Sequence, residues 1–519
     1  MENQNKYFKF KLTDEQEQLL DKLLTFIKSD KKIFILKGYA GTGKTSIMHG
    51  LVKYFGENKI PFTLMASTGR AAKVMAEKAR FPAGTVHGTI YILDIVEMPK
   101  QGDSKEEANF RILFKMKMPN LEEKRVFFID ESSMLSNHLQ KGGNIAFGSG
   151  RLLDDLFDHT GKGKVVFIGD PAQLPPVNSK FSAALSQTYL STTFDQEVET
   201  FELKKVMRYK ENTGMFYNTT ALRNVIMSKQ FPPLSIKAHG FDDISVYHHD
   251  NELIKKYYEI IKTKGVDSAI YITLSNKQAA VVNSRVRSHL WGYKNTDYLK
   301  PGESLMVARN NYLYGLNNGD LVTVDSVENK IIRKAGLKFM HINLRVAHPD
   351  PEKGMMIKRV FIIADLLSLN SRDLSVQQDM ELLANYFSRM RKIALEVFEI
   401  LNSTTDVERR RNSLERKIKD AGIHLNIEDT IEQASSKNEL IKSIAYDNMQ
   451  NDPYLNALRV KYGYAITCHK AQGSEWPEVF VHLEKSMFFQ EREYQYRWTY
   501  TALSRAEQKV HLINNICLY

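Results

Sequence analysis

Three short polar segments of this chain carry residue types suited to phosphate binding, divalent-metal binding and water activation. In the first, Gly38-Tyr39-Ala40-Gly41-Thr42-Gly43-Lys44-Thr45, the glycines let backbone N–H groups face a phosphate without obstruction. Lys44 supplies positive charge to the β- and γ-phosphates, Thr45 offers a hydroxyl to Mg2+, and Ser46 opens the helical run behind them. The second, Asp130-Glu131-Ser132-Ser133, follows an apolar run. There Asp130 can hold the metal through water, and Glu131 can act as general base on the attacking water. The third is Gly169-Asp170-Pro171-Ala172-Gln173-Leu174-Pro175-Pro176, where Gln173 can bond both γ-phosphate and attacking water while the prolines stiffen the loop. Arg208 and Arg505 lie far apart in sequence, and a guanidinium brought from a second domain would stabilise charge on a transferring phosphoryl group. Taken alone, an acidic pair after a strand also serves as a helix N-cap, and a lone arginine as a surface residue. The company of the phosphate loop favours nucleoside triphosphate hydrolysis.

Such residues need strands that end at one edge. Ile33 to Leu36, Val126 to Ile129 and Val165 to Ile168 are apolar runs too short for helices, and each leads into one of the three motifs. Buried parallel strands with active loops at their carboxyl ends read this way. The fold class expected is α/β, and a second set of strands (Ala269 to Leu274, Tyr462 to Ile466, Val479 to Leu483, Val510 to Ile513) suggests a second such core.

Two insertions differ in texture. Tyr91 to Val96 and Phe110 to Met116 flank a polar loop at Pro99 to Asp103 and predict a protruding β-hairpin. Between Pro301 and Pro453, Leu321 to Val327, Leu337 to Val346 and Ile357 to Ile363 predict antiparallel strands of a small barrel, with a turn at Asn317-Asn318-Gly319-Asp320. Leu383, Phe387, Met390, Ala394, Val397 and Leu401 form a heptad seam, which predicts a helical arm closed by a partner after Asp406. The charged stretch from Glu408 to Asp420 reads as a solvated helix face.

The chain has 519 residues, a length prior of roughly three to four domains. Its formal charge of +11 suits a polyanionic partner, although a basic solvated surface would give the same figure. Two cysteines, Cys468 and Cys517, have no metal-ligand spacing, and this fits a reducing compartment. The polar start Met1-Glu2-Asn3-Gln4 is no signal peptide, and no apolar run reaches the ~18 residues of a membrane helix. A soluble intracellular protein with no membrane partner is expected.

Further segments complete a pattern. Thr13-Asp14-Glu15-Gln16, Ala66-Ser67-Thr68-Gly69-Arg70-Ala71-Ala72, Thr85-Val86-His87, Tyr464 to Trp476 (with Thr467-Cys468-His469-Lys470-Ala471-Gln472-Gly473) and Tyr500 to Ala506 occur in order along the chain. With the three motifs above, they resemble the superfamily 1B helicases, the RecD, Dda and Pif group of 5′-to-3′ DNA helicases. Ser67 stands where that group usually has proline, and no Pro-Phe-Gly-Gly segment of the eukaryotic Pif type lies between Ser132 and Gly169.

The resemblance implies two RecA-like P-loop NTPase cores, with ATP and Mg2+ between them and single-stranded DNA across their top. Residues 1–88 and 121–215 would form domain 1A, 89–120 a hairpin or pin domain 1B, and 216–300 with 454–519 domain 2A. Residues 301–453 would form an SH3-like domain 2B, with its arm at about 379–447. It implies that Gln16 reads the adenine, that Gly38, Gly41, Gly43, Lys44, Thr45, Ser46, Arg208 and Arg505 bind the nucleotide, and that Thr45 and Asp130 hold the metal. Lys44, Glu131, Gln173, Arg208 and Arg505 are the catalytic candidates. Ser67, Thr68, Arg70, His87, Ser275, Asn276, Thr467, His469 and Lys470 are the candidate strand contacts. The expected partners are single-stranded DNA and a DNA fork, the minimal active unit is a monomer, and the site of action is cytoplasmic and nucleoid-associated if the source is bacterial or phage. A translocase without strong unwinding, a nucleotide-switched binding module and an RNA substrate are the alternatives that these motifs leave open.

Overall fold

The computed structural model describes residues 5–8, 10–97, 111–118, 123–140, 145–292, 299–311, 313–348, 353–368, 373–403, 407–426, 437–513 and 517–519. The chain divides into two compact units. One comprises Met1–Lys294, Ala347–Gly354 and Tyr462–Tyr519, and the other Asn295–Val346 and Met355–Lys461.

The first unit is α/β. Its six-stranded sheet runs, in spatial order, Ala83–Thr85, Phe62–Ala66, Val126–Asp130, Lys164–Gly169, Ile33–Gly38 and Val198–Leu203, with every pairing parallel. Side chains of successive strand residues point to opposite faces, and both faces are covered here. Phe34, Leu36, Val126, Phe128, Val166 and Ile168 pack into one core cluster, while Ile33, Ile35, Phe127, Ile129, Val165 and Phe167 pack into another. That two-sided burial is why these segments read as unbroken apolar runs. The register sets Lys37 beside Gly169 and Ala66 beside Asp130, so the three motif loops leave neighbouring strands at one edge.

A five-stranded parallel sheet follows, ordered Ile244–Tyr247, Ala506–Ile513, Trp476–Val481, Ala269–Thr273, Ala465–Thr467. The strand expected over Tyr462 to Ile466 is two strands. Val460–Tyr462 joins the sheet that contains Ser304–Val307, and Ala465–Thr467 joins this parallel one. Gly463 and a bend at Tyr464 separate them, and the Tyr464 carbonyl is turned to accept the Tyr257 hydroxyl at 2.5 Å and the Tyr271 N–H at 3.3 Å. Tyr91–Glu97 pairs antiparallel with Arg111–Met116, and Ile145–Phe147 adds a third, parallel strand. That third strand is only three residues long and gave no periodicity to read. The loop at Pro99 to Asp103 and Phe110 lie outside the described residues.

In the second unit the sheet order is Met355–Ile363, Leu337–Ala347, Leu321–Lys334, Ser304–Val307, Val460–Tyr462. Leu321–Lys334 turns tightly into Leu337–Ala347, with Ala335 and Gly336 both at positive φ, the mirror-type turn that matches strand twist. Gly319 at φ 90° serves the turn expected before that strand. Among the described residues, helices Val376–Ser403, Val407–Ala421 and Lys437–Met449 follow. Leu383, Met390, Ala394, Val397 and Leu401 of the expected seam are buried, and Phe387 is half-buried. Over Val407–Ala421 the charged residues are largely exposed, and Leu414 is buried. Among the described residues, no helix is long and apolar enough to cross a membrane.

Candidate functional site

Helix Lys44–Glu57 starts where strand Ile33–Gly38 ends, and its start is built from glycine. Gly43 sits at φ 85° as the N-cap residue, a left-handed conformation that a side chain would strain. At Gly41 (φ 76°) an added Cβ would lie 2.6 Å from Arg208 Cβ, so only glycine lets Arg208 pack on the loop. The Met207 N–H donates to the Gly41 carbonyl at 2.7 Å and secures that contact. Gln16 is held by a capping box with Thr13, and its Nε2 donates to the Thr42 carbonyl at 3.3 Å. The adenine-reading candidate therefore lies directly behind the phosphate loop.

A cavity of about 310 Å3 opens at the loop. Gly41, Gly43, Lys44, Thr45, Ser46, Asp130, Glu131, Gln173, Arg208 and Arg505, ten of the residues expected at the nucleotide, line it together. Gly38 lies at its back, where a Cβ would strike the Lys44 side chain at 2.9 Å. Lys44 Nζ donates to the carbonyls of Gly38 (2.7 Å) and Tyr39 (3.0 Å).

The acid pair is electrostatically tense. Burial raises the Asp130 carboxyl above its ordinary range, against the pull of Lys44. Glu131 is pushed up to about 7, first by burial and then by the neighbouring Asp130 charge. Its backbone adopts φ 50°, uncommon for a residue other than glycine, and the Glu131 N–H donates to Asp130 Oδ1 at 2.8 Å. Glu131 Oε2 is buried with no hydrogen-bond partner. Buried polar atoms are rarely left so, and where they are, a ligand or reacting water is a standard reason.

Both arginines are engaged. Arg208 donates to the Ser504 carbonyl at 3.1 Å and pairs with Glu475. Glu475 also faces Lys78 Nζ at 3.6 Å. Burial alone would raise the Glu475 carboxyl, but Arg208, Lys78 and Arg505 overcome it and hold the group below its ordinary value. Arg505, 3% exposed, donates to the carbonyls of Thr501 (3.0 Å) and Ser474 (3.2 Å) and to Ser504 Oγ (3.0 Å). The loop bearing Gln173 is gripped from the same side. Gln472 Nε2 donates to the Leu174 carbonyl at 3.0 Å, and Arg497 donates to the Pro171 carbonyl at 2.7 Å.

Thr45 and Asp130 supply a hydroxyl and a carboxylate, the hard oxygen donors that suit Mg2+. Among the described residues, no group of three or more His, Cys, Asp or Glu is arranged to hold a metal. A donor set this sparse fits Mg2+, which takes one or two protein ligands and completes its shell with water and phosphate oxygens.

The candidate strand contacts occupy strand ends. Thr68 Oγ1 accepts the Ala71 N–H at 3.2 Å as N-cap of helix Gly69–Ala79, and Ser275 caps helix Asn276–Trp291 with Gln278. Thr273 pairs with Thr467, so Ser275 and Asn276 leave the sheet beside His469 and Lys470. The Ser67 N–H donates to the Asp130 carbonyl at 3.2 Å, which ties that strand end to the acid pair. Arg70 lies over the Trp476 ring at 4.7 Å. His87 packs edge-on to Phe147, and burial lowers its pKa, as it does that of His469. Sequence reasoning missed Lys78, Glu475 and Tyr500. Glu475 and Tyr500 lie inside recognised motifs as unremarked positions, whereas Lys78 has no local signal.

A family model described as an AAA domain matches residues 11–225, and one described as a UvrD-like helicase C-terminal domain matches residues 462–513. The chain is 22% identical to an uncharacterized protein of Acanthamoeba polyphaga mimivirus over 551 aligned positions, covering 96% of this chain and 98% of that one. It is 31% identical to the ATP-dependent DNA helicase Pif1 of Psychrobacter over 177 positions, which span 33% of this chain and 25% of that one. Among solved structures, the Pif1 helicase from Bacteroides in complex with ADP-AlF3 and ssDNA is similar at 15% identity and a TM-score of 0.44, covering 97% of this chain and 92% of that one. The two family matches follow the order of the motifs: the first spans the phosphate loop, the acid pair, the Gln173 loop and Arg208, and the second spans the segments from Tyr464 to Trp476 and from Tyr500 to Ala506.

Proposed function

We propose that this chain is an ATP-dependent DNA helicase that moves 5′ to 3′ on single-stranded DNA and separates the duplex ahead of it. The observation that carries this is the single cavity shared by the phosphate loop, the acid pair and two arginines distant in sequence, Arg208 and Arg505. In this reading Lys44 and the N–H groups from Gly41 to Ser46 bind the phosphates, and Gln16 fixes the base. Thr45 and Asp130 would hold Mg2+, which when bound neutralises charge on the β- and γ-phosphates. Glu131 takes the proton of the attacking water through its unpartnered Oε2, and Gln173 orients that water. Arg208 and Arg505 stabilise charge on the departing phosphoryl group, so turnover requires both cores in contact.

The parallel sheets with their intervening helices serve as domains 1A (residues 1–88 and 121–215) and 2A (216–300 and 454–519). The sheet pair at 89–120 is assigned as the strand-separating pin. Residues 301–453 are assigned as an SH3-like domain 2B, with the helical arm at about 379–447. Ser67, Thr68, Arg70 and His87 on the first core, with Ser275, Asn276, Thr467, His469 and Lys470 on the second, would grip phosphates and sugars alternately. Helix N-termini at Thr68 and Ser275 suit phosphate contacts. The protein would work as a monomer inside the cell on strand and fork DNA.

Strand separation on two partial duplexes, one with a 5′ and one with a 3′ single-stranded tail, tests the reading. ATP-driven separation of the 5′-tailed substrate alone is expected. Separation of the 3′-tailed substrate alone would contradict the polarity, and strand-stimulated ATP hydrolysis without separation would make the protein a translocase.

A further inference from the structure

Helix Arg492–Leu503 presents Arg497, Tyr500 and Thr501 on one face, at the i, i+3, i+4 spacing that makes helical neighbours. All three reach the loops of the first sheet. Arg497 donates to the Pro171 carbonyl at 2.7 Å, and Thr501 Oγ1 accepts the Leu174 N–H at 3.1 Å. Tyr500 goes deepest and is 1% exposed. Its hydroxyl accepts the Ala40 N–H at 3.1 Å and donates to Asp170 Oδ2 at 2.8 Å. Asp170 is itself 1% exposed, and its other oxygen accepts the Ala172 N–H at 2.9 Å.

A buried phenol hydroxyl must find partners, and many do so inside their own domain. Tyr257, on helix Asp250–Lys264 packed against the second sheet, illustrates that ordinary case, donating to the Tyr464 carbonyl at 2.5 Å. Tyr500 differs in what it joins. One partner, Ala40, is a phosphate-loop residue lining the cavity, and the other begins the loop that carries Gln173, which lines the same cavity. Arg505, five residues further along the chain, lines it as well. A single oxygen therefore fixes the spacing of the two loops that border the phosphates, and it does so from the element that delivers Arg505.

We infer that Tyr500 is a positioning residue for ATP turnover, its hydroxyl aligning Ala40 with Asp170, and through Asp170 the Gln173 loop, when the helix preceding Arg505 is docked. The inference rests on the proposed ATP hydrolysis. Tyr500 does not act on the nucleotide; it acts through the two loops. Removing the hydroxyl leaves the ring in place and the loops free to drift by a fraction of an ångström. A misplacement of that order costs turnover more than binding.

The test compares Tyr500→Phe with Tyr257→Phe in the full chain. Steady-state ATP hydrolysis with oligothymidylate, affinity for a fluorescent ADP analogue and thermal melting are measured for both. Tyr500→Phe is expected to lower kcat roughly 10- to 100-fold with KM within about two-fold of wild type. Tyr257→Phe is expected to lower the melting temperature at unchanged kcat. Combining Tyr500→Phe with Asp170→Asn should add little beyond the larger single effect, since both break one link. Wild-type kcat in Tyr500→Phe, equal kcat losses in the two phenylalanine variants, or additive losses with Asp170→Asn would each overturn the inference. Absence of ATP turnover in the wild type would overturn the hydrolysis reading and this inference with it. A normal wild type beside an unimpaired Tyr500→Phe overturns the inference alone.

Discussion

Arg505 in the nucleotide cavity and Arg459 in the second unit are both buried arginines, and the fold treats them in opposite ways. Arg459 is clamped by two carboxylates, Asp373 at 2.6 Å and Asp379 at 2.5 Å, so its charge is neutralised within the chain. Arg505 donates to two carbonyls and a hydroxyl, and it forms no ion pair among the described residues. Neutral oxygens orient a guanidinium without cancelling its field. The same contrast holds for acids: Asp452 meets Arg389 at 2.8 Å, whereas Glu131 keeps an unpartnered buried oxygen. Where pairing is complete the charges serve architecture. Where it is left open beside a cavity they are available to a ligand.

That contrast can be broken by substitution. Arg505→Ala should retain nucleotide binding while turnover falls by about 10³-fold, as expected for removal of an arginine finger. Rates within a few-fold of wild type would remove Arg505 from that role. Arg459→Ala should instead deprive Asp373 and Asp379 of the guanidinium they share and cost about 3–5 kcal/mol of stability. ATP turnover per folded molecule should be unchanged, and chemical denaturation beside a turnover assay separates the two effects. A turnover loss at unchanged stability would invert the comparison.

A smaller effect belongs to His511, which stacks on Phe480 and contacts Glu478 and Tyr247. Burial pushes its pKa down to about 4, although Glu478 pulls the other way. The unfolded chain then binds the proton first as pH falls below about 6.5. Stability should drop by up to about 3 kcal/mol between pH 6.5 and 4, and His511→Gln should flatten that slope in denaturation measured across the range. An unchanged slope would mean that His511 is not the group responsible.

Much of the first sheet was legible because burial on both faces writes continuous apolar runs, and each run ended in a motif. Gly43-Lys44-Thr45 and Asp130-Glu131 were readable for the same reason, since their chemistry demands adjacent residues. The two strands that flank Gly463 were read as one, because three-residue strands carry no period and Tyr464 is as apolar as its neighbours. Glu475, Lys78 and Tyr500 were invisible as site residues, because their roles come from partners hundreds of positions away, as with Tyr500 and Asp170. Gln16 entered only through the resemblance of Thr13-Asp14-Glu15-Gln16 to a family motif, and the capping box that holds it came with the structure, as did the Arg70–Trp476 contact, which exists only once two sheets are built.

The most direct measurement is single-turnover ATP hydrolysis by Glu131→Gln in the presence of single-stranded DNA, with nucleotide affinity measured in parallel. The amide keeps the shape of the side chain and removes the base. The account predicts nucleotide affinity close to wild type and hydrolysis lowered by at least 10²-fold. Hydrolysis at the wild-type rate would contradict it, because the unpartnered oxygen would then have no part in activating water.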